Sequence, residues 1–344
     1  MRDDDTDYRG DGGTAEERIF GTGEQRKATR TPIREKANRT FDVYVRSPLR
    51  IAWEDWRTRI GGLLLLFYIL LGTFGVYFIP EPTLNEGPTY AGAFQSLDYP
   101  LGTDNLGRGI AEKIVHATPA MLKMALAGAL TTTGAGTFFG FVSGYRGGIT
   151  DRVLMTITDV QAVLPGLPLI VMLAAVFTPS NPFVVGVVLA IDTWPPLARS
   201  LRSQVLTLRE SDFVEAGRSL GLSSWTIIRQ DLIAKLAPYI LVNAAGAATR
   251  VIKASVALYF LGILPFSILN WGVMMNRAYK TGNAISAPGH AGHWLFFPAL
   301  ALSGLLFSLV LFSQGLDRVF NPRLRARHAE SAPDEDAAPQ GEVR

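Results

Sequence analysis

Six apolar stretches divide the chain, at about Ile60–Ile79, Ala120–Ser143, Val153–Phe177, Phe183–Ala198, Tyr239–Leu264 and Trp294–Gln314. A bilayer core of about 30 Å takes about 20 apolar residues per helix, so each stretch reads as a crossing. The expected fold class is all-α, a polytopic membrane protein with six transmembrane helices and both ends of the chain on one side. Between the fourth and fifth stretches the pattern changes. Residues 199–238 carry Arg199, Arg202, Arg209, Arg218, Arg229 and Lys235 against Glu210, Asp212, Glu215 and Asp231, and that much charge is excluded from lipid. A helical period persists there all the same. Leu201, Val205 and Leu208 mark one face, Phe213, Ala216 and Leu220 another, followed by Ile227, Ile228, Leu232 and Leu236. The pattern predicts short amphipathic helices separated at Gly221-Leu222-Ser223-Ser224, where Gly suits a C-terminal cap and Ser an N-terminal one. Such helices at a membrane surface form a docking knob.

Polar residues inside the apolar stretches are costly and by default mark function. Asp159 lies about two turns inside the third stretch, ahead of Pro165 and Pro168, and a structural or gating role is favoured for it. Asp192 occupies a similar depth in the fourth, before Trp194-Pro195-Pro196, which ends that helix. Arg250 and Lys253 fall near the middle of the fifth and must face protein or water. Two readings stay open for them: a pore-lining pair that attracts a carboxylate, or a structural ion pair with a membrane acid or a partner subunit. In the second stretch Gly136, Gly140 and Gly144, with Thr132 one step earlier, form a seam for close helix approach to a neighbouring span or another subunit. Asp104 and Arg108, four apart, suggest a surface salt bridge on a helix. His290 and His293 lack a third ligand, and no metal site is expected.

Composition agrees with a membrane class, since 48% of the 344 residues are hydrophobic and 18% charged. Net charge is +3 with both signs mixed, which gives a nucleic-acid partner little support. The absence of cysteine removes disulfides, thiolate catalysis and thiolate metal sites. Charge placement orients the chain. Sixteen Lys and Arg flank the ends, the loop after the second stretch and the 199–238 insert, whereas Arg108, Lys113, Arg277 and Lys280 lie on the other side. By the positive-inside rule the insert and both termini are cytoplasmic, and 80–118 and 265–293 are external. Residues 1–45, with nine acidic and nine basic side chains in the first forty, and the acidic 328–344 read as disordered cytoplasmic tails around a membrane domain at 46–327.

No G-x-x-x-x-G-K-[ST] loop, H-E-x-x-H or G-x-S-x-G occurs, so the chain carries neither a phosphate cradle nor these hydrolytic motifs. The insert does resemble something specific. Glu215-Ala216-Gly217, then Gly221, Leu232-Ile233 and Pro238, looks like the EAA loop of ABC importer permeases, with Gly217 where the family usually has Ala and Ala234 where it usually has Pro. Pro100-Leu101-Gly102-Thr103-Asp104, with Leu106, Gly107 and Arg108, and the turn Gly144-Tyr145, Gly147-Gly148, Asp151-Arg152, are similar to segments of the dipeptide/oligopeptide subfamily.

The resemblance implies a type I ABC importer permease fold and a subunit of an ATP-driven peptide importer, not an enzyme. Glu215, Ala216, Gly217, Gly221 and Leu222 would form the ATPase-coupling loop, while Asp159, Asp192, Arg250 and Lys253 are candidates for the translocation path or gate. The implied partners are two ABC ATPase subunits or domains, a homologous second permease, an extracellular substrate-binding protein and membrane lipid. The chain binds no cofactor itself, and ATP and Mg belong to the ATPase. Other cargoes such as nickel chelates or sugars remain open, as do an ion-gradient transporter built on the intramembrane charges and a non-transporting scaffold.

Overall fold

Backbone polar groups in lipid must be satisfied within the segment, which leaves helices as the means of crossing for apolar runs this long. The computed structural model describes residues 55–211, 214–215, 219–228, 232–264 and 269–320. Both expected disordered tails lie outside these residues, as do Ala216 and Gly217. Among the described residues there is no strand, only an isolated bridge between Thr103 and Gly109.

In chain order the helices are α1 (Trp56–Phe78, with a π turn at Leu71–Gly75), α2 (Ile110–Arg146), α3 (Gly148–Val163), α4 (Gly166–Phe177) and α5 (Pro182–Leu189). They continue with α6 (Pro195–Leu208), α7 (Ser224–Ile227), α8 (Ile233–Leu261), α9 (Trp271–Lys280) and α10 (Pro288–Phe320).

Six crossings were expected, but among the described residues α1, α2, α8 and α10 are the four helices long and apolar enough to cross by themselves, with α3 and α4 a fifth if their bent pair counts as one. Local chemistry explains both departures. Leu164 precedes Pro165, whose ring disfavours the helical region for it, so Leu164 turns extended (ψ 133°) and α3 and α4 meet at 88°. The stretch Phe183–Ala198 divides because Pro195 and Pro196 supply no backbone N–H and serve as the first turn of a new helix. What remains ahead of that break is α5, eight residues or about 12 Å.

Helix α1 packs along α10. Gly61 faces the backbone of Leu311 and Phe312, Gly315 faces Thr58, and the Tyr68 hydroxyl donates to the Ala301 carbonyl at 2.8 Å. Helix α9, hidden in a segment read as an external loop, is capped by Asn270, whose Oδ1 accepts from the Gly272 amide at 2.7 Å. Its Trp271, Val273, Met274 and Ala278 are buried, and the Trp271 indole donates to the Ile114 carbonyl of α2. One apolar cluster joins α1, α2, α8, α9 and α10, and a second joins α2, α4, α5 and α8. A third holds the polar insert: Phe141 and Tyr145 of α2, Leu197, Leu201 and Val205 of α6, then Val214, Ile227, Ile228, Leu232 and Leu236.

Candidate functional site

The insert is built on α6, whose apolar stripe lies in the glycine seam of α2. At Gly140 a side-chain methyl would stand 2.7 Å from both the Ala198 carbonyl oxygen and the Leu201 Cβ. At Gly144 it would stand 2.9 Å from the Arg202 carbonyl oxygen, and at Gly136 2.8 Å from Leu197. The seam is therefore internal to the chain, and it joins a crossing helix to the base of the insert at close range, with the Leu197, Leu201 and Val205 side chains set against its glycines.

Past α6 the chain turns at Ser211, whose hydroxyl donates to the Leu208 carbonyl, and Val214 is buried beside an exposed Glu215. Gly221 takes φ +75°, a left-handed conformation that glycine adopts without a Cβ penalty. Ser223 Oγ then accepts from the Thr226 amide at 3.2 Å to start α7. The helical period put Leu220 on an apolar face with Phe213 and Ala216, and it is 80% exposed, as are Leu222 at 43% and Trp225 at 62%. Glu215, Gly221 and Leu222 are each exposed, whereas Val214, Ile227 and Ile228 of the insert are buried in the third cluster.

Two ion pairs tie α6 to α3. Arg202 grips Asp151 through Nε and Nη2, both at 2.5 Å, and Arg199 meets Asp159 at 2.8 Å. The first pair is half-buried and bidentate, the stronger geometry for guanidinium and carboxylate. The second is open to solvent on both sides. Together with Gly148, Arg152, Met155 and Thr156 they line a cleft of about 580 Å³. Asp151 and Arg202 were legible only as family-motif and loop residues; that both fall on the arginine-rich side of the chain was the available signal.

The structure separates the other intramembrane charges from Asp159. Asp192 follows α5, with its carboxylate against Gly166 at the start of α4. Arg250 of α8 is near enough for its charge to act on Asp192, without an ion pair between them. Lys253, one turn along α8, is exposed and has no ion pair among the described residues.

Asp104 corrects a further expectation. It lies in a turn, not on a helix, and is fully buried. Arg108 contacts its carboxylate at 2.7 Å and Lys113 of α2 at 2.8 Å, and the Lys113 ammonium also lies over the Trp294 ring. Burial pushes the Asp104 carboxyl upward, but the Lys113 charge and the hydrogen bonds from Lys113 and Arg108 outweigh it and hold the group below the ordinary carboxylate value. The two histidines take separate partners: His293 Nε2 meets the Thr103 carbonyl at 3.1 Å, and His290 stacks on Tyr90.

Helices that cross a membrane, a charged insert anchored in their core with Leu220, Leu222 and Trp225 exposed, and cations set on a crossing helix define a multi-pass transport subunit. Residues 136–326 match the family described as binding-protein-dependent transport system inner membrane component, more than half of the chain, and the chain belongs to that family of ABC importer permeases. It is 29% identical over 305 residues to the dipeptide transport system permease protein of Bacillus subtilis, covering 85% of this chain and 92% of that protein. Identity is also 29% over 298 residues to the glutathione transport system permease protein of Pectobacterium atrosepticum (83% and 94% covered). Against the oligopeptide transport system permease protein of Bacillus subtilis it is 27% over 282 residues (79% and 90% covered).

Proposed function

We propose that this permease forms the translocation path for dipeptides and oligopeptides and is driven by ATP hydrolysed elsewhere. Two ABC ATPase subunits or domains, holding ATP and Mg, dock on a cytoplasmic insert. A second, homologous permease completes the path, and an extracellular binding protein delivers the cargo. Both termini are cytoplasmic in this arrangement, as the distribution of Lys and Arg supports. The peptide class rests on the relatives, named for dipeptide, oligopeptide and glutathione transport.

The observation that carries the coupling role is the anchoring of the insert. Glu215, Gly221, Leu222 and Trp225 are exposed on an insert whose first helix, α6, is seated on the backbone of α2 at Gly140 and tied to α3 through Arg202 and Asp151. Displacing the insert must move α6, and α6 cannot move without α2 and α3, because close-packed interiors transmit displacement instead of absorbing it. ATP-driven closure of the ATPase pair thereby alternates access to the path.

The test uses the lack of native cysteine. Ala216→Cys, treated with a short thiol crosslinker in membranes of the host, is expected to capture an ABC ATPase, with the yield changed by ATP. Efficient labelling without ATPase capture, in membranes where the complex is assembled, would overturn the docking assignment.

A further inference from the structure

Helix α8 has one face built into the core and another left open. Val251, Ile252, Ser255, Val256 and Tyr259 are buried at 6% exposure or less, whereas Arg250, Lys253, Ala257 and Leu261 are exposed. At 1.5 Å per residue, Arg250 stands about 16 Å and Lys253 about 12 Å from the end of α8 at Leu261. That is near the middle of a 30 Å hydrocarbon layer. A charge at that depth requires water or protein, not lipid. Small residues flank the pair, and a methyl at Gly246 would meet nothing nearer than Arg250 Nη1 at 3.8 Å, so the guanidinium borders open space. Arg250 and Lys253 make no ion pair with any acid among the described residues, Asp192 included. The face therefore keeps a net positive charge.

We propose that this face of α8 is a carboxylate-binding step on the translocation path, with Arg250 and Lys253 receiving the free carboxylate of the peptide. The inference rests on the transport reading and narrows its cargo to solutes that carry an anionic group. Two cations one turn apart match the two oxygens of a carboxylate. Their lateral exposure lets the group leave again, as a path demands.

Charged thiol reagents on the full chain in assembled vesicles test this without knowledge of the natural cargo. Gly246→Cys and Ala257→Cys each put a thiol about one turn from a cation. Relative to a free thiol in solution, both are expected to favour a negatively charged sulfonatoethyl methanethiosulfonate over its positively charged trimethylammonium counterpart. Each cation removed, as Arg250→Gln or Lys253→Gln, should lower that ratio about three- to tenfold, the Coulomb expectation for a unit charge about 6 Å away in screened water. A face sealed by lipid or by a partner's acid would leave both thiols unreactive, and a ratio indifferent to both substitutions would place the cations elsewhere; either result overturns the proposal. In the same vesicles, ATP-driven uptake of a dipeptide is expected to exceed that of its C-terminal amide, and Lys253→Gln to erode the difference. A preference for the free acid unchanged in both Gln variants would likewise overturn it. If neither peptide moves, the peptide-transport reading fails, while the reagent ratio still decides whether the face binds anions.

Discussion

Replacing Gly140 with Ala adds one methyl group to the α2–α6 seam. The new Cβ would stand 2.7 Å from the Ala198 carbonyl oxygen, where ordinary contacts begin at 3.4 Å, so the helices must part by about 0.7 Å. The obstructing atom is backbone, which no rotamer change can clear. Overpacking of this kind costs about 1–3 kcal/mol, offset by about 0.5–1 kcal/mol because Ala favours a helix over Gly. The net expectation is a loss of up to about 2.5 kcal/mol. Gly134, on the same helix, has nothing within 4 Å of its added methyl, so Gly134→Ala should be neutral or gain up to about 1 kcal/mol. Intrinsic tryptophan fluorescence of the purified, detergent-solubilised chain follows both variants on heating. Opposite signs are expected, with Gly140→Ala unfolding at lower temperature than the parent and Gly134→Ala at the same or higher. Two variants that shift together would show that α6 does not lie in this seam, and the mechanical link between insert and membrane core would fall with it.

Three other outcomes follow from the same geometry. Arg202→Asp should abolish ATP-driven uptake, and adding Asp151→Arg should restore part of it; a double variant as inactive as the single would deny that the pair joins α3 to α6. Because the folded-state pKa of Asp104 is lowered, its stabilisation is fully present above the ordinary carboxylate value of 3.8 and is lost as pH falls through the lower folded value. Asp104→Asn should remove that acid dependence and, by leaving Lys113 buried beside no counter-charge, cost about 3–5 kcal/mol at neutral pH in a thermal unfolding assay. Gly221→Val forces a β-branched side chain to φ +75°, so uptake coupled to ATP should fall while membrane insertion, read by protease protection, stays intact.

Much of this architecture was legible because lipid imposes a simple grammar of apolar runs and charge placement. The insert, its anchoring residues Leu201, Val205, Ile227 and Leu232, and the turn at Gly221 all followed from period and cap chemistry. Leu220 did not, since a helical period marks a face as apolar without saying whether a neighbour covers it. The break at Trp194 was visible in Pro195-Pro196, yet hydropathy alone ran through it and merged α5 with the start of α6. Glycine spacing announced the seam on α2 but not its occupant. The ion pairs were beyond reach for a plain reason: Asp159 and Arg199 are 40 residues apart and Asp151 and Arg202 are 51, so no local spacing relates them. Lys113 meets Asp104 from nine positions away across a turn, outside any helical or strand repeat.

The packing of α1 on α10 has a consequence for how the protein is made. Tyr68 and Ala301 are 233 residues apart, and Arg57 reaches Gln314 across 257. During synthesis the first helix enters the bilayer long before its companion exists, so Gly61 and the Tyr68 hydroxyl face lipid until nearly the whole membrane domain has been translated. Chains that stall before α10 must display an uncovered, hydrogen-bond-hungry surface on α1 that finished chains hide. The last helix is thus a clasp that closes over α1 only when the membrane domain is nearly complete.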